Sequence, residues 1–457
     1  ILSGVTLALK LALAWIFEGF STGDDLEIVQ TAARYAAGVS YQPWSLRCLF
    51  HPIVLVFPVM KAAVLCGARD PRLLSWIAAL PTIAFSTAGI GMTALLARRW
   101  GWTERAANVA AFFCAFAWLP LTYGATPFPR PISTTLLLGA FLLASLPRET
   151  WRWPLASGLL VGAAFAVRWS EGVVLIPLCG WTAWRFRSSR RIAGILAGFA
   201  AGSGLFVGVT DWLTWGKPFA SLGEYFRIMY LERPEKGFVT EDPIWDYAYS
   251  SLHWAGPVLM LLLIPAWKNR RARPALAVFA VIVALLSLFT HKEWRYLQAA
   301  IPFLALAASA GWDRLRSAGH RFLTAAALVL VVPYGLERAV TMHSRRSASE
   351  IEAARWIRNL RPKPHALAFE QTWAYGEHLY LGNDVEFREI EIGDPLRPRA
   401  IREAASSAEI AGVYAEDLDD SGRRELEHLG FRQVASFQKQ SSKQCLVFAR
   451  GQVVSAP

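Results

Sequence analysis

The 457-residue chain is 54% hydrophobic and 18% charged, with a formal net charge of +12 and a mean hydropathy of +0.31. That is too apolar for a soluble protein of this length and fits a polytopic membrane protein with a polar appendage. The basic residues sit in short loops between apolar runs, which is topology information and not a nucleic-acid stripe, and the scattered Cys48, Cys66, Cys114, Cys179 and Cys445 have neither disulfide nor metal spacing.

Spans of roughly 17–25 apolar residues can cross a bilayer. Ile1 to Phe20 lacks a small-residue cleavage pattern and reads as a retained first span, Leu2–Gly19. Further spans are expected at Leu73–Ala97, Ala106–Tyr123, Ile132–Leu146, Pro154–Val167, Val173–Trp184 and Ile192–Asp211. Ser251–Trp267, Pro274–Thr290, Tyr296–Trp312 and Phe322–Tyr334 complete the series, giving about eleven transmembrane helices. His51–Gly67 holds Pro52, Pro58 and Lys61 and reads as an interfacial or re-entrant helix.

With that assignment the basic residues fall in alternate loops. These hold Arg98, Arg99 and Arg105; Arg148 and Arg152; Arg185, Arg187, Arg190 and Arg191; Lys268, Arg270, Arg271 and Arg273; and Arg314, Arg316 and Arg321. The positive-inside rule makes this side cytoplasmic. The opposite face then carries Ser21–Leu49, Thr122–Pro131, Trp212–Ser250, His291–Arg295 and the C-terminal tail.

Beyond Tyr334 the apolar spans stop. Ser349–Leu360, Arg399–Ser407 and Ser421–Leu429 read as helices. His365–Phe369, Val385–Ile392, Ile410–Tyr414, Phe431–Phe437 and Cys445–Ala449 read as strands. The expected organisation is a transmembrane domain over 1–335 and a small extracytoplasmic α/β domain over 336–457.

Four ionisable residues in His291-Lys292-Glu293-Trp294-Arg295-Tyr296 stand at a membrane boundary, where charge is expensive unless it meets charge. Two readings are open. Lys292 and Arg295 snorkel while Trp294 and Tyr296 join the aromatic belt, or the cluster binds a lipid phosphate. The adjacent acids Asp24 and Asp25 open an amphipathic stretch. They are helix-capping residues or contain a general base for a sugar hydroxyl. Asp211 at the end of a span, and Arg130 within Pro127-Phe128-Pro129-Arg130-Pro131, are weaker candidates. His51 and His253 read as structural.

In this order the motifs resemble the GT-C glycosyltransferases, and among them the family 22 mannosyltransferases. The matching residues are Asp24-Asp25 with Arg47 in the first outer loop, Asp211 to Lys217, the segment around Arg130, and His291, Lys292, Glu293, Arg295 and Tyr296 followed by Pro302. The acidic pair departs from the Asp-Glu common in that family. The resemblance covers roughly Leu2 to Trp312 and implies an inverting transfer of a sugar, mannose first, from a polyprenyl-phosphate donor to a glycan or glycolipid. It also implies a catalytic role for Asp24, with Asp25 as its understudy or acceptor guide. His291, Lys292 and Arg295 would bind the donor phosphate, Glu293 would orient Lys292 and Arg295, and Arg47, Arg130 and Asp211 would support the site.

No cofactor or metal is expected, and the partners are the lipid donor, the acceptor and the bilayer. The Ala-, Arg- and Trp-rich composition points to a bacterial inner membrane rather than the endoplasmic reticulum. Rival readings are a GT-C transferase for another sugar, such as aminoarabinose onto lipid A, a lipid-linked sugar transporter, and a membrane scaffold presenting the C-terminal domain.

Overall fold

The structure, a computed structural model, describes residues 1–457 except 40, 42, 148–149, 233–241, 290, 392–397, 440 and 452–457. Arg148, Thr290 and Ile392, named above, lie outside the described residues. The chain forms two compact units. One comprises Ile1–Ala12, Tyr41–Val59 and Ala78–Ala339; the other gathers Leu13–Ser40, Met60–Ile77 and Val340–Pro457.

The first unit is helical. The apolar stretches expected to span fold as helices, among them Glu104–Phe116, Arg130–Ala144, Arg152–Val167, Leu175–Phe186, Pro257–Trp267, Arg273–Ser287 and Ile301–Ser317. Among the described residues of the whole chain, three helical stretches are long and apolar enough to cross a membrane: Pro71–Arg99, Ser189–Trp215 and Arg321–Arg358, the last combining Arg321–Ser344 with Ala348–Arg358. His51–Val56 is a π-helical turn that runs into Phe57–Leu65.

Helices Arg152–Val167 and Ser189–Ser203 approach until their backbones touch. A Cβ on Gly158 would lie 2.0 Å from the Ile195 carbonyl oxygen, and one on Gly198 would lie 2.0 Å from that of Leu155. Gly162 and Gly202 repeat the contact one turn on. With no hydrophobic drive between helices in lipid, small residues four apart supply the close packing that holds such a pair.

Side chains tie the interhelical loops into two sets. In one, Trp100 Nε1 donates to Ser145 Oγ at 3.2 Å, and the Arg191 guanidinium donates to the carbonyls of Ala144 and Leu146. Asn269 bonds the Ala310 carbonyl, and Arg314 that of Lys268. In the other set, the segments around Phe128, Arg168, Asp242 and Glu293 are bonded together, as described below.

In the second unit, five strands form a mixed sheet in the order β2-β1-β3-β5-β4. They are β1 Ala366–Phe369, β2 Glu386–Glu389, β3 Ile410–Tyr414, β4 Phe431–Phe437 and β5 Cys445–Arg450. β1 runs parallel to β2 and β3, while β5 is antiparallel to β3 and β4. β3 is buried on both faces, so it reads as a continuous apolar run. Ile401, Leu426, Phe431 and Phe448 fill the core beside it. Helices Ala348–Arg358, Pro398–Ala405 and Asp420–His428 occupy the stretches expected to be helical.

Glu370 follows β1 and Asp417 lies beyond β3. Glu370 Oε2 accepts the Tyr414 amide at 2.9 Å, and Lys443 Nζ donates to Asp417 Oδ2 at 2.7 Å. Burial, and after it the hydrogen bond to the Asp417 carboxylate, push the Glu370 carboxyl up to about 8. Burial would raise Asp417 too, but the proton shared by Glu370 and the Lys443 charge hold it below its usual range.

The sign follows from linkage. An unfolded Glu ionises near 4.3, whereas the folded one keeps its proton to about 8. Its contribution to stability is full below the unfolded value and is lost as pH rises through that window. The melting temperature of the purified full chain is expected to fall between pH 5 and 8, and the fall should be smaller in Glu370→Gln. The same pH dependence in both proteins would contradict a shared proton.

Candidate functional site

The motif at 291–296 follows helix Arg273–Ser287 and leads into the 3₁₀ turn Trp294–Ala300. A 3₁₀ turn stacks residues three apart, so its polar and aromatic side chains leave the backbone in registered rows. The Tyr247 hydroxyl locks the entrance, donating to the Glu293 carbonyl at 3.0 Å and accepting the Glu293 amide at 3.2 Å.

Arg295 grips the Glu293 carboxylate with both arms of its fork, Nε and Nη2. His291 Nε2 stands 3.6 Å from the same carboxylate. Burial works to raise the Glu293 carboxyl, but the His291 hydrogen bond and the Arg295 charge outweigh it and bring it down to about 2. Glu293 therefore holds the plane of the Arg295 guanidinium.

Lys292 is held differently. Its backbone amide donates to Asp242 Oδ2 at 2.8 Å, and its ammonium donates to the carbonyls of Asp242, at 2.9 Å, and Phe289, at 2.7 Å. Those carbonyls engage two of its three N–H donors.

Around this turn lies a belt of cations and rings. Arg130, at the start of helix Arg130–Ala144, pairs with Glu171 at 3.1 Å, both side chains being almost fully buried. Its guanidinium also sits 4.2 Å from the centre of the Tyr296 ring. The Phe128 ring carries Arg295 at 5.1 Å and Arg168 at 5.5 Å. Among the described residues, Arg130, Arg168, Lys292 and Arg295 are gathered with Glu171, Asp242 and Glu293. Trp294 stacks on His253 at 6.1 Å and meets Trp118 edge-on, the structural part expected of the aromatic residues. Sequence reading did not single out Glu171, Arg168, Asp242 or Tyr247. They lie in short turns and links and form no motif of recognisable spacing.

The remaining candidates have other partners. Arg47 is half-buried, with its guanidinium 5.6 Å from the Trp44 ring centre. Asp211 is fully buried, and its Oδ2 accepts the Ser221 amide at 2.9 Å and hydroxyl at 2.6 Å. It thereby pins the start of helix Ala220–Phe226.

Asp24 and Asp25 belong to the second unit, in the first turn of helix Gly23–Ala36, with Thr22 at the N-cap. Asp25 is buried and its Oδ2 accepts the Ser21 amide at 3.2 Å, a bond back to the residue before the N-cap. Asp24 is half-buried. Among the described residues, no group of three or more His, Cys, Asp or Glu side chains could hold a metal ion.

Against known proteins, a family model described as the Alg9-like mannosyltransferase family matches residues 12–371. GPI mannosyltransferase 3 of Yarrowia lipolytica is 26% identical over 326 residues, 67% of this chain; the chain spans 61% of that relative's length. ArnT from Cupriavidus metallidurans shares the fold. Its undecaprenyl phosphate complex superposes with a TM-score of 0.70 at 15% identity, over 100% of this chain and 98% of ArnT. The apo oligosaccharyltransferase of Archaeoglobus fulgidus gives a TM-score of 0.56 at 12% identity, over 90% of this chain and 69% of that one. The shared fold and the apolar helices make this a multi-pass membrane protein with a small C-terminal sheet. The family match spans most of the sequence, and the chain belongs to the Alg9-like mannosyltransferase family, a family of GT-C glycosyltransferases.

Proposed function

We propose that this protein transfers mannose, with inversion, from polyprenyl-phosphate-mannose to a hydroxyl of a glycan or glycolipid on the extracytoplasmic face. The observation that carries the reading is the gathering of Arg130, Arg168 and Arg295 over the Phe128 and Tyr296 rings, at the ends of apolar helices, in a chain of a mannosyltransferase family. A polyprenyl chain requires the apolar phase, and its phosphate requires cations at the edge of that phase. The fold is shared with a protein solved with undecaprenyl phosphate, which supports a donor of that class.

In the proposed step the acceptor hydroxyl oxygen attacks the anomeric carbon as the bond from that carbon to the phosphate oxygen breaks. Asp24 takes the hydroxyl proton. Its half-exposure suits a base that must reach a substrate, whereas the backbone bond of Asp25 suits support. The departing polyprenyl phosphate gains charge, which Arg295, the remaining Lys292 donor and His291 stabilise. Glu293 keeps the Arg295 fork oriented. Arg130 steadies Tyr296, while Arg47 and Asp211 support neighbouring loops.

Transfer can be read with labelled polyprenyl-phosphate-mannose and a lipid extract from cells lacking the gene as acceptor. Asp24→Asn is expected to lower turnover on the order of 100- to 10,000-fold, the usual weight of a general base, while donor binding persists. An inactive Asp25→Asn beside an active Asp24→Asn would reverse the assignment within the pair. Use of another sugar in preference to mannose would reject the donor.

Charge-assisted contacts to phosphate are worth roughly 1.5–3 kcal/mol, and each 1.4 kcal/mol is about tenfold. Arg295→Lys, which loses the planar fork, and Lys292→Ala should each weaken donor use about 10- to 100-fold. A cluster that only anchors the helix would leave Arg295→Lys silent, since either cation can snorkel.

The side of the membrane rests on the basic loops. Accessibility tags after Gly101, Arg187, Asn269 and Gly319 are expected to report cytoplasm, and tags near Ser45 and Ser441 the opposite side. An extracytoplasmic signal at Arg187 would overturn this orientation.

A further inference from the structure

The segment that leads into the acidic helix has almost no regular structure of its own. Residues 17–22 join helix Leu2–Ile16 to helix Gly23–Ala36 without helix or strand. Several of their bonds are made to residues beyond 340. The Phe20 amide donates to Ser347 Oγ at 2.9 Å, and the Ser347 amide donates back to the Phe20 carbonyl at 3.2 Å. Arg346 Nη1 donates to the Phe17 carbonyl at 2.9 Å. Gly19 has φ +98°, and a Cβ there would lie 2.9 Å from the Ser347 carbonyl carbon, so this approach admits only glycine.

Glu18 is the centre of the join. Its carboxylate is nearly buried and is gripped by both terminal nitrogens of Arg355, Nη1 to Oε2 at 2.9 Å and Nη2 to Oε1. The Tyr380 hydroxyl adds a third bond to Oε1, at 3.0 Å. The acidic helix itself is held along its length. Trp373 lies against Gly23, Gln30 Nε2 donates to Glu377 Oε2 at 3.1 Å, and Thr372 Oγ1 supports the other Glu377 oxygen at 3.0 Å. At the far end Lys61 Nζ caps the Ala36 carbonyl at 2.8 Å.

A 14-residue helix is marginal on its own, so these partners fix where its first turn lies. We infer that Glu18, Arg355 and Tyr380 are positioning residues for Asp24, and that the C-terminal domain holds the proposed base in place. This rests on the assignment of Asp24 above. Catalytic groups need placement to within about 0.5 Å, and a 1 Å displacement can cost on the order of 100-fold in rate. The Arg355–Glu18 fork defines direction as well as distance, which a single ammonium does not.

The test uses the full chain, labelled polyprenyl-phosphate-mannose and the extract described above at saturation. Arg355→Lys and Glu18→Gln should lower kcat about 10- to 100-fold and leave the donor KM within about twofold. The exchanged pair, Glu18→Arg with Arg355→Glu, should recover part of the loss. Hydrogen exchange gives a readout independent of turnover: amides of residues 17–26 should exchange faster in Arg355→Lys while β1 and β3 stay protected.

Wild-type kcat in both single variants would overturn the inference. So would a loss of kcat accompanied by faster exchange in β1 and β3, which would make the contacts general supports of the fold. Asp24→Asn separates the two ideas. If it keeps turnover, the assignment of the base fails; if it abolishes turnover while the Glu18 and Arg355 variants remain fully active, the positioning role alone fails.

Discussion

Charge removed from water has to be neutralised where it stands, and much of the first unit follows from how this is done for Arg130. Its side chain and that of Glu171 are almost completely buried. Removing one partner of such a pair costs roughly 3–5 kcal/mol, because the other is left as an uncompensated charge. The pair therefore fixes the distance between the start of one helix and the link between two others. Once Arg130 is fixed, Tyr296 is fixed beneath its guanidinium, and Arg295, one residue earlier, is brought over Phe128. The Glu293 fork, the Tyr247 hydroxyl and the Lys292 contacts then complete a network in which the segments are mutually restrained. An interfacial anchor would need none of this interlocking. A lysine or arginine that only snorkels is defined by depth, not by direction.

Periodicity made the helices legible, because an apolar run long enough to cross a bilayer has few other ways to satisfy its backbone. The C-terminal strands were legible for a related reason. Ile410–Tyr414 is a short apolar run and Phe431–Phe437 a stretch ended by aromatic residues, and they form β3 and β4 with those limits. Val385–Ile392 was read too long, since the described strand is Glu386–Glu389. Its alternation continues past the last paired residue, so pattern alone could not end it. The π-helical turns at His51–Val56 and Gly204–Val209 were also invisible, because a one-residue change in hydrogen-bond register leaves the apolar composition unchanged.

Of the site, the sequence revealed what is dense and hid what is distributed. Four ionisable residues within five positions announce themselves at 291–295, whereas Glu171, Arg168 and Asp242 meet partners 40 or more positions away in the chain. The glycines at 158, 162, 198 and 202 were present in the sequence as spaced pairs, but what they do depends on two helix faces meeting. The acidic pair marks another limit. Neighbouring helix residues point about 100° apart, so Asp25 is buried in its bond to Ser21 and Asp24 is left half-exposed. Which of two adjacent identical residues faces inward is decided by what packs on the helix, here segments beyond residue 340.

Lys292 and Arg295 illustrate why two cations in one motif need not share one task. The Lys292 ammonium bonds the carbonyl of Phe289, just beyond the end of helix Arg273–Ser287, where a cation suits both the exposed carbonyls and the negative end of the helix dipole. It also reaches the Asp242 carbonyl, so one point charge closes a helix and ties down the segment across from it. A guanidinium would not substitute easily, because a planar fork cannot direct its donors to two carbonyls and to a ligand in three different directions. Arg295 has the opposite requirement. Its fork is aligned by Glu293 and its face by Phe128, which leaves its plane fixed before any ligand arrives. A developing phosphate charge gains most from donors that need no reorganisation. The lysine builds the end of the helix, and the arginine, held rigid by that construction, is the better placed of the two to meet an anion.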